Sequence, residues 1–475
     1  MTRVERFEAC IIAMALLVVA GCSFAPPRRT PDVPVAAEYK EIGPWASAEP
    51  ADHLPRDAWW KLYGDAQLDE LEQRLLAHNP DLAAALASYN EARAYSDQLR
   101  AGLFPTISAQ GSFDRDRQSD TAPLRGNGPA NYNSDSLGLA TVYELDLWGR
   151  IRNQIASGRA LAAASEADLE SARLSLTAQL ADDWVVLRGL DRDSALLEDT
   201  VQAYRRALDL TIQRHDGGIA PGLDVARAQT QLEVARSQAA QTLAQRALIE
   251  HAIAALVGDS PSTFAIAPDI GAISLPTVPT GVPSTLLQRR PDVAAAERRM
   301  AAANADIGVA RAAYFPSISL DAEGGVASAH ASQLLRVPSR VWAVGPSLDL
   351  PLFDAGRRRA QVAQARAVLE ETSSQYRSVA LAAFQQVEDE LALLDHYQTA
   401  AQSERAAVEA AQRSLVYSMD RYRNGAVNYL DVVTSQTAAL QTQRDEINLE
   451  TLQLRASVSL IRALGGGWSG QDPRT

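Results

Sequence analysis

Four short segments alternate apolar and polar residues with a period of two, the signature of strands with one apolar face. Over 104–116, Ile107, Ala109 and Phe113 alternate with Ser108, Gln110, Ser112 and Asp114. Over 136–148, Leu137, Leu139, Tyr143, Leu145 and Leu147 alternate with Gly138, Ala140, Glu144 and Asp146. Over 315–327, Ile318, Leu320 and Ala322 alternate with Ser319, Asp321 and Glu323. Over 341–353, Trp342, Val344, Leu348, Leu350 and Leu352 alternate with Gly345, Ser347 and Asp349. The polar faces carry six acids: Asp114, Glu144, Asp146, Asp321, Glu323 and Asp349. Such faces fit a soluble sheet on a core, or a membrane barrel with lipid outside and water inside. Four strands cannot close a barrel, and an open edge in lipid is forbidden, so the barrel reading requires several chains.

The period changes to that of a helix between and after the strands. Residues 150–214 hold no proline and only Gly158 and Gly189, which predicts a helix about 100 Å long if unbroken. Leu180, Leu187, Val201 and Leu208 fall on one seven-residue ladder, and Leu190, Leu197 and Tyr204 on the neighbouring one, as in coiled-coil packing. Asp216-Gly217-Gly218 and Pro221-Gly222 stop it, and a return helix is expected over 223–257. A Pro-rich stretch over 258–283 follows, then a helix over 284–312. A second long helix over 357–421, a turn at Gly425 and a return over 430–464 repeat the plan. A further helix is expected over about 65–100.

The repetition is literal. Asn79-Pro80-Asp81-Leu82 returns as Arg290-Pro291-Asp292-Val293, and Phe104-Pro105 as Phe315-Pro316, each 211 residues on. Gly218 with Leu223-Asp224-Val225 returns as Gly425 with Leu430-Asp431-Val432, 207 residues on. A period near 200 is too long for a solenoid and implies two copies of one large unit, 59–283 and 284–468, with a tail at 469–475.

Composition narrows the function. A net charge of −13 argues against nucleic acid as a partner. Two cysteines and six scattered histidines give no metal spacing, and no phosphate loop or nucleophile elbow is present, so neither a cofactor nor an enzyme activity is indicated. Arg3 and Arg6 precede an apolar run, Ala9 to Ala20, long enough for a signal peptide and too short to span a membrane. Its end, Val19-Ala20-Gly21-Cys22-Ser23, resembles a bacterial lipobox. That resemblance implies cleavage after residue 21, acylation of Cys22, and an outer-membrane destination permitted by Ser23. The alternative is an ordinary signal peptide with an incidental cysteine. Seven prolines between residues 23 and 57 predict an extended tether over 22–58.

Several sequence words then carry a family resemblance: Trp59-Trp60-Lys61-Leu62-Tyr63-Gly64-Asp65, Asn79-Pro80-Asp81-Leu82, Leu145-Asp146-Leu147-Trp148-Gly149-Arg150, Arg289-Arg290-Pro291-Asp292, Leu352-Phe353-Asp354-Ala355-Gly356-Arg357, and Arg421-Tyr422-Arg423-Asn424-Gly425 leading to Tyr429-Leu430-Asp431-Val432. Together, ordered and duplicated, they resemble the outer-membrane factor (channel-tunnel) family, in its lipoprotein branch serving drug-efflux systems. The resemblance implies an α+β membrane protein and a homotrimer. Three chains would share one twelve-stranded barrel in outer-membrane lipid, continued by an α-helical coiled-coil periplasmic tunnel. It implies a passive duct for small molecules, docked by a periplasmic adaptor (membrane fusion protein) and an inner-membrane efflux pump of the RND type.

It also implies that the hairpin tips are both gate and adaptor contact. The aperture residues are then Tyr429, Leu430 and Asp431, with Asp224 nearby; the adaptor contacts are Arg214, Gly218, Arg421, Arg423 and Gly425. A ring of carboxylates binds cations and repels itself, a filter or a lock; the alternative for Asp224 and Asp431 is helix capping. Arg357-Arg358-Arg359 reads as a lipid-phosphate contact at the barrel rim or as a solvated cluster. A pore-free helical scaffold lipoprotein is the competing reading, and it leaves the two-faced strands unexplained.

Overall fold

The computed structural model describes residues 23–29, 31–36, 39–41, 58–119, 121, 130–276, 278 and 290–466. Cys22, the signal peptide, Arg289 and the start of the helix expected at 284 lie outside these residues. In chain order the elements are α1 (Ala66–His78), α2 (Pro80–Ala101), β1 (Thr106–Arg117), β2 (Asn131–Glu144), α3 (Arg150–Asp216), α4 (Gly222–Leu256), α5 (Pro291–Ala312), β3 (Ser317–Ser328), β4 (Arg340–Asp349), α6 (Arg357–Arg423) and α7 (Tyr429–Ala463). The two long helices have 67 residues each and the two return helices 35 each, so the duplication seen in the sequence is repeated in the fold. The helix expected over 65–100 is broken between His78 and Pro80, because proline lacks the N–H that would continue the first helix. Asp65 caps α1, accepting from Gln67 and Leu68 N–H.

The chain divides into two compact units, each drawing on both sequence repeats. The first comprises residues 1–31, 89–165 and 295–376, and the second 32–88, 166–294 and 377–475. In the first unit the four strands form one antiparallel sheet in the order β1-β2-β3-β4. The register makes the faces unambiguous. Ala109 pairs with Leu139, Leu139 with Gly324, and Gly324 with Trp342. One face therefore carries Ile107, Phe113, Leu137, Leu139, Tyr143, Ile318, Leu320, Trp342, Val344 and Leu348. These side chains are largely bare: Ile107 and Phe113 are each 68% exposed and Trp342 77%. Asp135 and Arg340 share this face at its loop end and mark where the apolar band stops. β2 and β4 end earlier than the alternation suggested, at Glu144 and Asp349, because Leu145 and Leu350 open the turns into α3 and α6.

The N-terminal stretch is not a free tether over its described part. Ser23 Oγ donates to Asn153 Oδ1 at 3.0 Å, Asn304 Nδ2 to the Pro26 carbonyl at 2.9 Å, and Arg311 Nη1 to the Phe24 carbonyl at 3.0 Å. The Phe24 ring stacks on Phe315 with 4.6 Å between centroids.

The second unit has a conventional helix core, with Leu68, Leu75, Leu180, Trp184, Leu187 and Leu197 almost fully buried. Trp184 Nε1 donates to Asp65, so the residue that caps α1 also satisfies the buried indole. Glu72 is the anomaly. It is fully buried, and neither carboxylate oxygen has a hydrogen-bond partner. Burial pushes its pKa well above the usual carboxylate range, and nearby Asp69 adds to this.

Two outcomes follow from this packing. A side chain at Gly325 would meet the Leu137 carbonyl and the Gly138 backbone of β2, whereas one at Gly345 meets nothing. Gly325→Val is therefore expected to abolish accumulation of folded protein in the membrane fraction, and Gly345→Val to leave it unchanged. Glu72→Gln is expected to raise thermal stability at pH 8, where ionising the native carboxyl costs most. Because its folded pKa is raised, the stability Glu72 contributes is present below the unfolded pKa and is lost as pH rises towards the folded one. The gain from the substitution should thus shrink toward pH 4, and equal gains at both pH values would refute the assignment.

Candidate channel lining and hairpin tips

The sheet's other face carries the acids. By the same register, Asp114, Glu144, Asp321, Glu323 and Asp349 project to the face opposite Ile107 and Leu139, beside Ser108, Ser112, Ser136, Ser319 and Ser347. Hydroxyl pairs cross the strands there, Ser112 with Ser136 at 3.0 Å and Ser319 with Ser347 at 2.7 Å. Asp146 does not belong with them. It lies beyond β2, and its carboxylate accepts from Ile151 and Arg152 N–H at 3.0 and 2.9 Å and from Arg152 Nε at 2.9 Å. It holds the first turn of α3, where free N–H groups and the helix dipole favour an acid. Glu144 keeps the lining face but is ion-paired to Arg150. Asp354 repeats the Asp146 role at α6, accepting from Gly356 and Arg358 N–H. The Arg358 guanidinium holds the Asp354 carboxyl below the usual range. That removes Arg358 from the cationic triplet and leaves Arg357 and Arg359 exposed.

The two hairpin tips, in the second unit, are built alike. α3 ends with Ile219 N–H donating to the Arg214 carbonyl at 2.8 Å, and α6 with Ala426 N–H donating to the Arg421 carbonyl at 2.8 Å. Gly218 and Gly425 have φ of +71° and +76°, the left-handed geometry these helix stops require. Beneath the turns lies a small core of Ala228, Tyr422, Tyr429 and Val432, with the two tyrosine rings 5.2 Å apart at 63°. Tyr429 is packed into this core rather than exposed at the tip: it is 1% exposed, and burial pushes its pKa up to about 12. The three residues Tyr429, Leu430 and Asp431 are adjacent in sequence, but on the helix Tyr429 turns inward while Leu430 and Asp431 face out. Leu430 is 45% exposed. Asp224 is 5% exposed, with Arg227 at 3.6 Å.

Neither acid is a side-chain cap. Asn428 caps α7, accepting from Asp431 N–H, and α4 starts after Pro221 with no side-chain cap. Arg214 and Arg421 occupy the same place in the two repeats and do different work. Arg214 Nη1 donates to the Tyr422 and Arg423 carbonyls, both at 3.0 Å, and its guanidinium lies 4.7 Å from the Tyr422 ring centroid. It closes the C-terminus of α6 from the neighbouring hairpin. Arg421 and Arg423 are exposed.

A set of buried charges missed in the sequence fastens the Pro-rich stretch after α4. Asp191 accepts from Arg246 Nε at 2.6 Å and from Asp269 N–H at 3.0 Å. Arg188 pairs with Asp269 at 2.5 Å and donates to the Gly271 carbonyl at 3.1 Å. The Arg188 guanidinium lowers the Asp269 pKa. On α7, Arg444 takes Asp193 bidentately at 2.8 and 2.9 Å. The signal was available as Arg188, Asp191 and Asp193 on the inner face of a Leu ladder, where charge must be paired.

A two-faced sheet with acids on one side and an apolar band on the other fits a membrane-embedded channel wall. Comparison with known proteins agrees. The family model described as outer membrane efflux protein matches residues 71–259 and 282–466. The chain is 33% identical over 463 residues to the toluene efflux pump outer membrane protein TtgC of Pseudomonas putida, covering 97% of this chain and 96% of that one. It is 33% identical over 464 residues to outer membrane protein OprJ of Pseudomonas aeruginosa, covering 97% and 95%. The solved outer-membrane channel OprN superposes with a TM-score of 0.87 at 32% identity, covering 94% of this chain and all of that one. The open-state MtrE outer membrane channel of Neisseria gonorrhoeae superposes at 0.82 with 26% identity, covering 94% and 98%. The chain belongs to the outer membrane efflux protein family, and its place is the outer membrane.

Arg214→Ala is expected to loosen the tips by about 1–2 kcal/mol, the range for charge-assisted hydrogen bonds to partly exposed carbonyls. Amide hydrogen exchange over 420–428 should then accelerate, while Arg421→Ala leaves it unchanged.

Proposed function

We propose that three copies of this chain form a passive duct through the outer membrane, carrying small toxic molecules delivered by an inner-membrane pump. One observation carries the reading: a four-stranded sheet, apolar on one face and acidic on the other, with both edges unpaired in the single chain. Three such sheets joined edge to edge make a closed twelve-stranded barrel, which satisfies every edge that lipid would otherwise face. The relatives' names, a toluene pump's outer membrane protein among them, support export of apolar small molecules. Residues 59–283 and 284–468 are read as two copies of one ancestral unit, each giving a strand pair and a long hairpin.

In this reading Asp114, Asp321, Glu323 and Asp349 line the lumen and favour cations. The hairpin tips form the periplasmic mouth. Leu430 and Asp431, exposed on the outward side of the first turn of α7, are the aperture residues; Asp224 supports them from the neighbouring hairpin. Gly218, Arg421, Arg423 and Gly425 offer the surface that a periplasmic adaptor contacts, and the adaptor couples the duct to an RND-type pump. Arg214 holds that surface in shape. Cys22 carries the acyl chains, which enter the outer membrane beside the barrel.

Purified protein in a planar bilayer tests this. The expected result is a stable conductance that prefers cations, with the preference reduced in Asp321→Asn/Glu323→Gln. An unselective or absent conductance from protein shown to be folded would contradict it.

A further inference from the structure

The internal duplication of the first unit is broken at one contact. Trp148, four residues past the end of β2, stacks on Phe315, just before β3, with 4.8 Å between centroids and 24° between planes. Its Nε1 donates to the Pro316 carbonyl at 2.8 Å. The contact continues the strand register: Glu144 pairs with Ser319, and four further steps bring Trp148 opposite Phe315. This aromatic pair therefore closes the β2–β3 seam at the helix end of the sheet.

Both partners recur in the sequence. Phe315-Pro316 repeats Phe104-Pro105, and Leu145-Asp146-Leu147-Trp148 recurs as Leu350-Pro351-Leu352-Phe353. The second pair has no contact: Phe353 is 89% exposed and Phe104 66%. They cannot meet within a chain, because Phe104 leads into β1 and Phe353 follows β4, at opposite edges of the sheet. Among the described N-terminal residues, Phe24 does not cover Phe104 either, since it is seated on Phe315. Both rings sit beside the strand edge that lacks a hydrogen-bonding neighbour.

We propose that Phe353 of one protomer stacks on Phe104 of the next, so that the β4–β1 seam between copies repeats the β2–β3 seam within a copy. The occupant of each bare ring is thus a second copy of this chain. The proposal rests on the duct reading and adds to it a register. If Phe353 lies opposite Phe104 as Trp148 lies opposite Phe315, stepping back five residues puts Leu348 opposite Ala109. An independent check holds: Leu348 and Ala109 both lie on the apolar face of the sheet. A slip by one residue would turn one strand's apolar side chains to the acidic face. The seam has aromatic rings but no indole donor, so it lacks the hydrogen bond that Trp148 makes within the chain to the carbonyl of the proline after the phenylalanine.

The test uses the full chain in its membrane, carrying Phe104→Cys and Phe353→Cys together, with a short thiol cross-linker. Loss of the monomer band to dimer and trimer bands is expected, and neither single variant should show it. The native Cys10 and Cys22 are common to all variants and serve as their own control. Trp148→Cys with Phe315→Cys should cross-link without any higher band. Oxidation of Leu348→Cys with Ala109→Cys should give the same interchain ladder independently of the ring positions. A ladder from Leu348→Cys with Ile107→Cys or Gly111→Cys in its place would overturn the register. Cross-linking of Phe353→Cys alone would place these rings together on an axis and overturn the seam. Trimers seen by mass without any 104–353 or 348–109 link would also overturn it while leaving the duct intact. Absence of any oligomer would overturn both.

Discussion

The arrangement turns on the cost of an unpaired peptide group in hydrocarbon. Each buried N–H or C=O without a partner costs several kcal/mol in lipid, so a sheet there must have no edge. This chain supplies four strands, an apolar face that needs lipid, and two open edges that lipid will not tolerate. The sheet is complete only in an assembly, and the remaining features serve that assembly. The acids sit together on the face opposite the apolar one. The turns into α3 and α6 are each tied by a carboxylate, Asp146 or Asp354, to the N-terminus of the helix that follows. The exposed rings at Phe104 and Phe353 are understandable as surfaces awaiting a neighbour.

Much of this was legible in the sequence because its signals are periodic and local. The period-two runs gave the strands and faces, and the proline-free stretches gave the long helices to within a few residues. The double appearance of Phe-Pro and of Gly before Leu-Asp-Val gave the duplication. What the residues could not disclose was where a pattern stops and which member of a repeated pair is buried. Asp146 continues the alternation of β2 in sequence, yet the backbone has already turned and its carboxylate holds a helix end. Tyr429 sits beside Leu430 and Asp431 in one sequence word, but a helix sends it inward to Tyr422. Asn428, not either aspartate, provides the tip's side-chain cap. The N-terminal proline-rich stretch looked like a spacer, because proline content reports the absence of helix and not the presence of a docking site.

A duplicated sequence does not impose duplicated roles. Arg214 and Arg421 occupy one motif position, yet the first is spent on carbonyls of the other hairpin and the second stays in solvent. Trp148 is docked and Phe353 is bare, though the words around them match. Asp191, Arg246, Asp269 and Arg188 fasten the stretch after α4, and no described counterpart follows α7. In the first two cases one copy satisfies itself within the chain, and the other is exposed. That division is what an assembling duct needs: a self-contained fold with reserved surfaces at the strand edges and at the tips.

The claim that the sheet is completed by other copies is tested most directly by counting chains. Native mass spectrometry of protein extracted from outer membranes in a mild detergent should show a particle of three chains. It should not resolve into folded single chains on dilution. A stable, folded monomer with the same strand content would contradict the account, because its open edges would then be tolerated without a neighbour.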